Sequence, residues 1–328
     1  MEKRDDIWYA VVNPNAGSGK TLSLWRKAEG MLFEKGIRYK FVTPETSADS
    51  QKRIKAACRA GYRKFIAVGG DGTAHNLVRG IVEYVQENAA LEKDAPVVLD
   101  DFSVAVLPIG SGNDWIRSHN IPHDHALIVD MMSRGEFRAQ DIVKAEILDA
   151  PGGKAVKTAY MINIGGYAFD ANVCDVVNFQ KANGVTGKLL YVKALRSLAA
   201  KQKARRAKVL CDGKTVFDDR LYSISFGNGR FSGGGLCQTP SAVMDDGLLD
   251  IMIAPKFPLW KLITGVRKLL NGKVETLRFL TFAKASVVEV IPGEGLGELV
   301  EMDGEIIGRA PLRLSFLSGR LNVLHKDI

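Results

Sequence analysis

The chain has 328 residues, with 45 Lys and Arg against 37 Asp and Glu for a formal charge of +8, and an ordinary 46% hydrophobic content. That length suits two domains better than one core, and the composition excludes a disordered or collagen-like chain. The positive balance suits an anionic partner, whether nucleotide, nucleic acid or anionic membrane, without choosing among them.

Cys58, Cys174, Cys211 and Cys237 lie far apart with no C-x-x-C pair. They form neither a zinc pattern nor a disulfide framework and fit a reducing compartment. The N-terminus leads directly into a strand-like run, so no signal peptide is expected. The longest apolar stretches, 104–109 and 247–254, fall well short of the roughly 20 residues that span a bilayer. A soluble, cytoplasmic protein is expected.

The first part of the chain reads as alternating strands and helices. Ile7–Asn13 is a short apolar strand entering a Gly-rich turn, and Thr21–Lys35 carries Leu24, Ala28, Met31 and Leu32 at helical spacing. Arg38–Thr43 reads as a strand, Ala48–Ala60 as a helix, and Lys64–Val68 as a strand running into Gly69-Gly70-Asp71-Gly72. Leu77, Val78, Ile81, Val82 and Val85 form a helical stripe, and Val104–Leu107 is a further strand ending at Pro108. Strands separated by such helices predict a parallel sheet covered on both faces.

From about Phe137 the rhythm changes. Asp141–Leu148, Ala159–Ile164, Arg206–Cys211, Leu221–Phe226, Leu248–Ile253, Ala285–Ile291 and Leu312–Leu317 read as strands joined mostly by turns, which predicts a mainly antiparallel β domain. Two basic helices interrupt it, near Gly187–Lys203 and Leu259–Leu270. The expected organisation is a nucleotide-binding α/β domain over 1–136 and a β-rich domain over 137–328, with the last residues packing back on the first domain.

Three Gly-rich segments follow predicted strands. Gly69-Gly70-Asp71-Gly72-Thr73 places three glycines within four residues between a strand and a helix, which allows close backbone approach to a ligand. The amides opening the following helix favour phosphate. Asp71 would repel phosphate unless it acts through water or a metal ion, and Mg²⁺ normally accompanies nucleotide phosphates.

The second segment, Asn13-Pro14-Asn15-Ala16-Gly17-Ser18-Gly19-Lys20-Thr21, has Pro14 where a Walker A loop needs glycine, and no G-x-G-x-x-G follows the first strand. It remains a second wall for a phosphate. Leu107-Pro108-Ile109-Gly110-Ser111-Gly112-Asn113-Asp114 is the third turn. Ligands of open parallel sheets bind at the carboxyl ends of strands, so the three turns are expected to converge.

Together these segments resemble the diacylglycerol kinase catalytic domain family, which includes sphingosine and ceramide kinases and small bacterial lipid kinases. Asn13, Pro14, Gly17, Ser18 and Gly19, the unbroken Gly69–Thr73 and Pro108–Trp115 match its phosphate-site motifs, with Ser111 for threonine and Trp115 for phenylalanine. The likeness continues through Asn163–Ala171, Gly227-Asn228-Gly229 with Gly233–Gly235, Asp246–Asp250 and Met302-Asp303-Gly304-Glu305. Asn76 departs from it, standing where the family usually has glutamate.

The resemblance implies an NAD kinase/diacylglycerol kinase-like α/β domain, a mainly antiparallel β domain and an active-site cleft between them. It also implies ATP-dependent transfer of the γ-phosphate to a hydroxyl of a membrane lipid, most simply diacylglycerol or a related glycerolipid. Asn13, Gly17, Ser18, Gly19, Thr43, Gly69, Gly70, Asp71, Gly72, Thr73 and Ser111 would hold the nucleotide. Asp71, Asp114 and Asp141 would form the catalytic Mg²⁺ cluster, and Asp303 or Glu305 would be the base. Asp246, with carbonyls of Val243 and Leu248, would hold a structural Mg²⁺.

Two other readings stay open: a soluble-substrate kinase of the NAD kinase type, and a non-catalytic nucleotide or lipid sensor. The expected partners are a membrane lipid substrate, an anionic membrane touched by the basic helices at the inner face, and a second copy of the chain. No recognisable nucleic-acid-binding module is present, so nucleic acid is not expected.

Overall fold

The computed structural model describes residues 4–19, 21–89, 96–109, 113–183, 185, 190–199, 203–258, 261–293, 295 and 297–327. The chain divides into two compact units, Met1–Gln140 with Ser318–Ile328, and Asp141–Leu317.

The first unit contains β1 (Trp8–Val12), α1 (Thr21–Glu34), β2 (Tyr39–Val42), α2 (Ser47–Arg59), β3 (Lys64–Gly69), α3 (Asp71–Ala89), β4 (Ser103–Pro108), α4 (Asp114–Ser118), α5 (His125–Arg134) and β5 (Phe137–Gln140). The sheet order is β2-β1-β3-β4, then the C-terminal strand Leu321–Leu324, then β5. Strands β1 to β4 are mutually parallel, and the C-terminal strand pairs parallel to β4 and antiparallel to β5. Buried runs such as Phe65–Val68 and Val104–Leu107 suit strands with both faces covered.

Helix ends follow local chemistry. Thr46 caps α2 by accepting from the Asp49 amide, and Asp124 caps α5 by accepting from Ala126 and Leu127. Gly135 closes α5 in the left-handed region. From the neighbours β1 and β3 the chain winds outward in opposite directions, so their carboxyl ends form the topological switch at which such sheets bind ligands.

The second unit contains β6 (Val143–Leu148), β7 (Ala155–Met161), β8 (Ile164–Ala168), α6 (Phe169–Ala182), α7 (Leu190–Ala199), β9 (Arg205–Cys211), β10 (Lys214–Gly227), β11 (Phe231–Ser232), β12 (Leu236–Cys237), β13 (Leu249–Pro255), α8 (Lys261–Leu270), β14 (Thr281–Ala285), β15 (Val288–Pro292), β16 (Leu299–Met302), β17 (Glu305–Arg309) and β18 (Leu312–Phe316). Its main sheet runs β17-β16-β8-β10-β9-β15-β18-β6-β7, with β13 pairing β10 and β14, and every pairing in it is antiparallel. The 14-residue β10 pairs β9 along its first half and β8 and β13 along its second. Alternating side chains of these strands, among them Val209, Ile224, Phe226, Ile251, Val290 and Leu314, make one core.

Helices α6, α7 and α8 pack a smaller core through Phe169, Val173, Val177, Leu190, Ala194, Val266 and Leu269. The helix α6 was not read from the sequence, although Phe169, Val173 and Val177 recur at helical spacing. The predicted strand Ala159–Ile164 is instead broken at Ile162–Asn163, where the backbone amides turn to a carboxylate described below.

Candidate functional site

In the first unit the turns after β1 and β3 meet. Asn13 donates from Nδ2 to Thr73 Oγ1 at 3.1 Å, and its own Oδ1 accepts from the Asn15 amide. Gly69 is needed where β3 ends, because a Cβ there would lie 2.3 Å from Thr73 Oγ1. Gly72 differs, for it is exposed and a Cβ there would meet nothing within 4 Å. Gly17 and Gly19 have φ of 56° and 82°, conformations that favour glycine, in the turn that precedes α1.

Asp71 opens α3 and reaches across to α4. Its Oδ2 accepts from the Asp114 amide at 2.9 Å and its Oδ1 from the Trp115 amide at 3.1 Å. Asp71 therefore caps α4 as well as facing the phosphate turn. Asp114 is buried, with Arg117 Nε 3.7 Å from its Oδ1. The Asp71 carboxylate and the Asp114 backbone are thus brought together, and carboxylates are the donor chemistry of Mg²⁺, which commonly takes one or two of them and completes its shell with substrate phosphates and water.

Thr43 is exposed just beyond the carboxyl end of β2. Gly70 follows β3, and its carbonyl accepts from Thr73 and Ala74. Ser111, between Gly110 and Gly112, lies outside the described residues, as does Lys20; Ser18 falls within the turn before α1. Asn76 accepts on its Oδ1 from Ser47 Oγ at 3.0 Å, and its carbonyl accepts from Gln51 Nε2 at 2.8 Å. The residue that departs from the family pattern joins α3 to the start of α2.

In the second unit a chain of hydrogen bonds ties the remaining signature residues together. Asp303 accepts three backbone N–H bonds: from Ile162 at 2.7 Å, Asn163 at 2.9 Å and Ile164 at 3.1 Å. The Asn163 carbonyl accepts from Asn228 and Gly229, and Asn228 Nδ2 donates to the Asp141 carbonyl. Asp141 Oδ2 accepts from the Gly247 amide at 2.8 Å, and the Asp141 amide donates to Met244. Asp141 therefore sits against the 244–247 loop.

Asp246 is exposed and accepts from the Leu248 amide at 3.0 Å, and Val243 is 41% exposed. No group of three His, Cys, Asp or Glu able to hold a metal occurs among the described residues. The loop carries two adjacent carboxylates, Asp245 and Asp246, and Asp141 reaches its Gly247 amide.

Asp303 and Gly304 have φ of 50° and 88° and close a two-residue hairpin between Met302 and Glu305, the left-handed pair that Asp-Gly favours. Glu305 is exposed at the first position of β17. Two carboxyls not assigned from the sequence lie behind this hairpin, Glu301 buried and Asp170 half-buried. Asp170 accepts from Ser225 Oγ at 2.6 Å and Gln238 Nε2 at 3.1 Å, and burial raises its pKa. Burial likewise pushes Glu301 up to about 8, and the Asp170 and Asp303 charges add to this. Asp170 stood within the quoted Asn163–Ala171 run but carried no role there.

A cavity of about 90 Å³ lies beside α8, walled by Phe169, Tyr222, Met252, Phe257, Leu269 and Phe279, with Asp170, Ser223 and Gln238 as polar groups at its wall. Of the basic helices, positions 187–189, 200–202 and 259–260 lie outside the described residues. Lys193, Lys203 and Arg267 are exposed, whereas Arg205 and Arg206 pair with Glu298 and Asp218. No helix among the described residues is long and apolar enough to cross a membrane.

A parallel α/β unit with a Gly-rich turn at its switch point, together with an antiparallel β unit, is the pair of domains found in kinases of the diacylglycerol kinase type. Residues 8–145 match the diacylglycerol kinase catalytic domain, and residues 164–325 match the YegS C-terminal NAD kinase beta sandwich-like domain. The chain belongs to this lipid-kinase-type family.

It is 29% identical over 277 residues to a Pseudomonas fluorescens Pf-5 protein named "Probable lipid kinase YegS-like", covering 84% of this chain and 82% of that one. A protein of the same name from P. fluorescens Pf0-1 is 28% identical, covering 92% and 85%. A solved structure described as "a putative diacylglycerol kinase" from Bacillus anthracis Sterne superposes with a TM-score of 0.71 at 19% identity, over 99% of each chain, and shares the fold.

Proposed function

We propose that this protein transfers the γ-phosphate of ATP to the hydroxyl of a membrane glycerolipid of the diacylglycerol class. The observation that carries this reading is the turn at the carboxyl end of β3, where Asp71, exposed Gly72 and buried Thr73 stand beside Asn13 and the start of α4. Phosphoryl transfer asks a protein mainly for positioning and charge neutralisation. The glycine turns and the N-terminal amides of α3 supply the first for the phosphates. Asp71 and Asp114 would hold Mg²⁺, which offsets phosphate charge when bound.

The acceptor hydroxyl needs a carboxylate to take its proton as bonding develops. Three amide bonds spend the Asp303 carboxylate on anchoring the hairpin, so Glu305, exposed beside it, takes the role of base. The apolar walls of the cavity beside α8 suit hydrocarbon, and its volume of about 90 Å³ has room for a short part of an acyl chain rather than a whole lipid. We further propose peripheral contact with an anionic membrane through α7 and α8, supported by exposed Lys193 and Arg267 and by Leu270, which is 55% exposed.

Transfer of labelled phosphate from ATP to a short-chain diacylglycerol in mixed micelles tests the reading. E305Q is expected to lower kcat by about 10²–10⁴-fold, the usual worth of a general base. D303N is expected to act chiefly on the stability of the hairpin. Full transfer by E305Q would move the base elsewhere.

A further inference from the structure

We propose that Glu301, which lies outside the Asp303–Gly304–Glu305 signature, is a positioning residue: it holds the Gly304 peptide and so fixes the hairpin that presents Glu305. The inference rests on the lipid-kinase reading for its effect on turnover, but not for its effect on the hairpin.

The geometry is specific. Glu301 is 8% exposed and its Oε2 accepts from the Gly304 amide at 2.8 Å. The other end of that residue is held too, since the Gly304 carbonyl accepts from Asn178 Nδ2 at 2.8 Å and Cys174 Sγ at 3.1 Å, both on α6. The β17 strand that begins with Glu305 thus starts from a residue clamped on both sides. A buried ionisable side chain is a costly way to hold one amide, and solvent-facing hairpins of this type need no such support.

The sequence makes room for it. Gly166 is the register partner of Glu301 across β8 and β16, and a Cβ there would lie 2.6 Å from Asp170 Cβ and 3.0 Å from Glu301 Oε1. Both carboxyls therefore face the same bare stretch of backbone. The titratable groups that act on Glu301 are Asp170 on α6 and Asp303 in the hairpin, and Cys174 on α6 feels the Glu301 charge.

Desolvation, with Asp170 and Asp303 adding to it, pushes Glu301 up to about 8. The residue therefore carries its proton at neutral pH and loses it in mildly alkaline solution. A new negative charge then appears behind the hairpin, next to two other carboxyls.

The test uses the full chain with ATP, Mg²⁺ and dioctanoylglycerol micelles, across pH 6 to 9.5. It also follows hydrogen exchange of the peptide spanning residues 299–309. In E301A, kcat is expected to fall on the order of 100-fold, the usual cost of a misplaced catalytic group, with KM for ATP little changed. Exchange of the hairpin amides should rise at least about tenfold, as a lost closing hydrogen bond permits. In E301Q, whose amide oxygen still accepts from Gly304 and cannot ionise, the wild-type loss of rate above about pH 8 should disappear, and the exchange should stay slow.

An alkaline limb shared by wild type and E301Q, or slow hairpin exchange in E301A, would overturn the proposal. Should wild type transfer phosphate to no lipid while E301A still loosens the hairpin and E301Q does not, the lipid-kinase reading falls and the positioning role stands.

Discussion

The two glycines of the phosphate turn make opposite predictions, and that contrast separates the demands of folding from those of a ligand. In G69A the new Cβ would lie 2.3 Å from Thr73 Oγ1 and 2.8 Å from Thr73 Cβ. Thr73 is buried and its hydroxyl is engaged by Asn13, so it cannot simply swing aside. Overpacking of this kind costs about 1–3 kcal/mol. For a unit of this size that lowers Tm by roughly 2–4 °C per kcal/mol. In G72A the Cβ meets nothing within 4 Å and φ lies outside the left-handed region. Because Gly72 sits in the first turn of α3, alanine should leave stability unchanged or raise it by at most about 0.5–1 kcal/mol. If phosphates rest on this turn, the same methyl stands in their way. G72A should therefore melt no lower than wild type yet bind an ATP analogue at least about tenfold more weakly, a loss of about 1.4 kcal/mol. Thermal melts with and without nucleotide, together with calorimetric titration, read both effects. Wild-type affinity in G72A would refute the reasoning, because it would take the phosphates away from Gly72.

Three further outcomes follow from the same contacts. D71A should lose about 0.5–2 kcal/mol because two α4 amides lose their acceptor, whereas D71N keeps one acceptor and should melt closer to wild type. Both should lose transfer by at least about 10²-fold, and an active D71N would remove Asp71 from the chemistry. Glu301 gives a pH signature in stability. The folded protein holds the Glu301 proton up to about pH 8, while the unfolded chain releases it near 4.5, so stability falls as pH rises across that window. E301Q cannot ionise, so it should match wild type near pH 5 and exceed it at pH 8.5 by on the order of 2–4 kcal/mol; parallel melting curves at both pH values would contradict this. The four cysteines are buried, and burial raises every one of their pKa values, with Cys58 pushed up to about 12 and Cys211 to about 11. A thiol reagent at pH 7.5 should find none of them before unfolding and all of them after it.

Much of this architecture was legible in the chain because its strongest signals are local. Apolar runs such as Phe65–Val68 and Val104–Leu107 followed by glycine marked strand, turn and helix start in the order the structure has them. What escaped depends on partners distant in sequence. The edge strand β7 begins with four exposed residues in a row, without apolar alternation, so the predicted strand starts only at Ala159. The break at Ile162–Asn163 exists because Asp303, some 140 residues later, takes those amides. The Asn163–Ala171 run passes from β8 into α6 at Phe169, beyond Ala168 with its φ of 63°, a change that no glycine or proline at that point marks.

The candidate site divides the same way. Asp71 and Asp114 were named from turn motifs, and the structure joins them by a hydrogen bond. Asp303, one of the two candidate bases, accepts three backbone amides, contacts that no spacing within its own hairpin announces. Glu301 and Asp170 went unassigned, because their significance lies in burial around Gly166 and not in any motif. The signal available was compositional: a glutamate and an aspartate inside otherwise apolar runs, Leu299–Met302 and Ile164–Ala171.

The central claim is tested most directly by offering the purified protein ATP and Mg²⁺ with a panel of acceptors. The panel should hold diacylglycerol, phosphatidylglycerol, a sphingoid base and ceramide in mixed micelles, and NAD in solution, each run beside D71N. The account predicts label on a glycerolipid, lost in D71N, and none on NAD. Label on NAD with every lipid unlabelled, or nucleotide bound with no transfer to any acceptor, would contradict it.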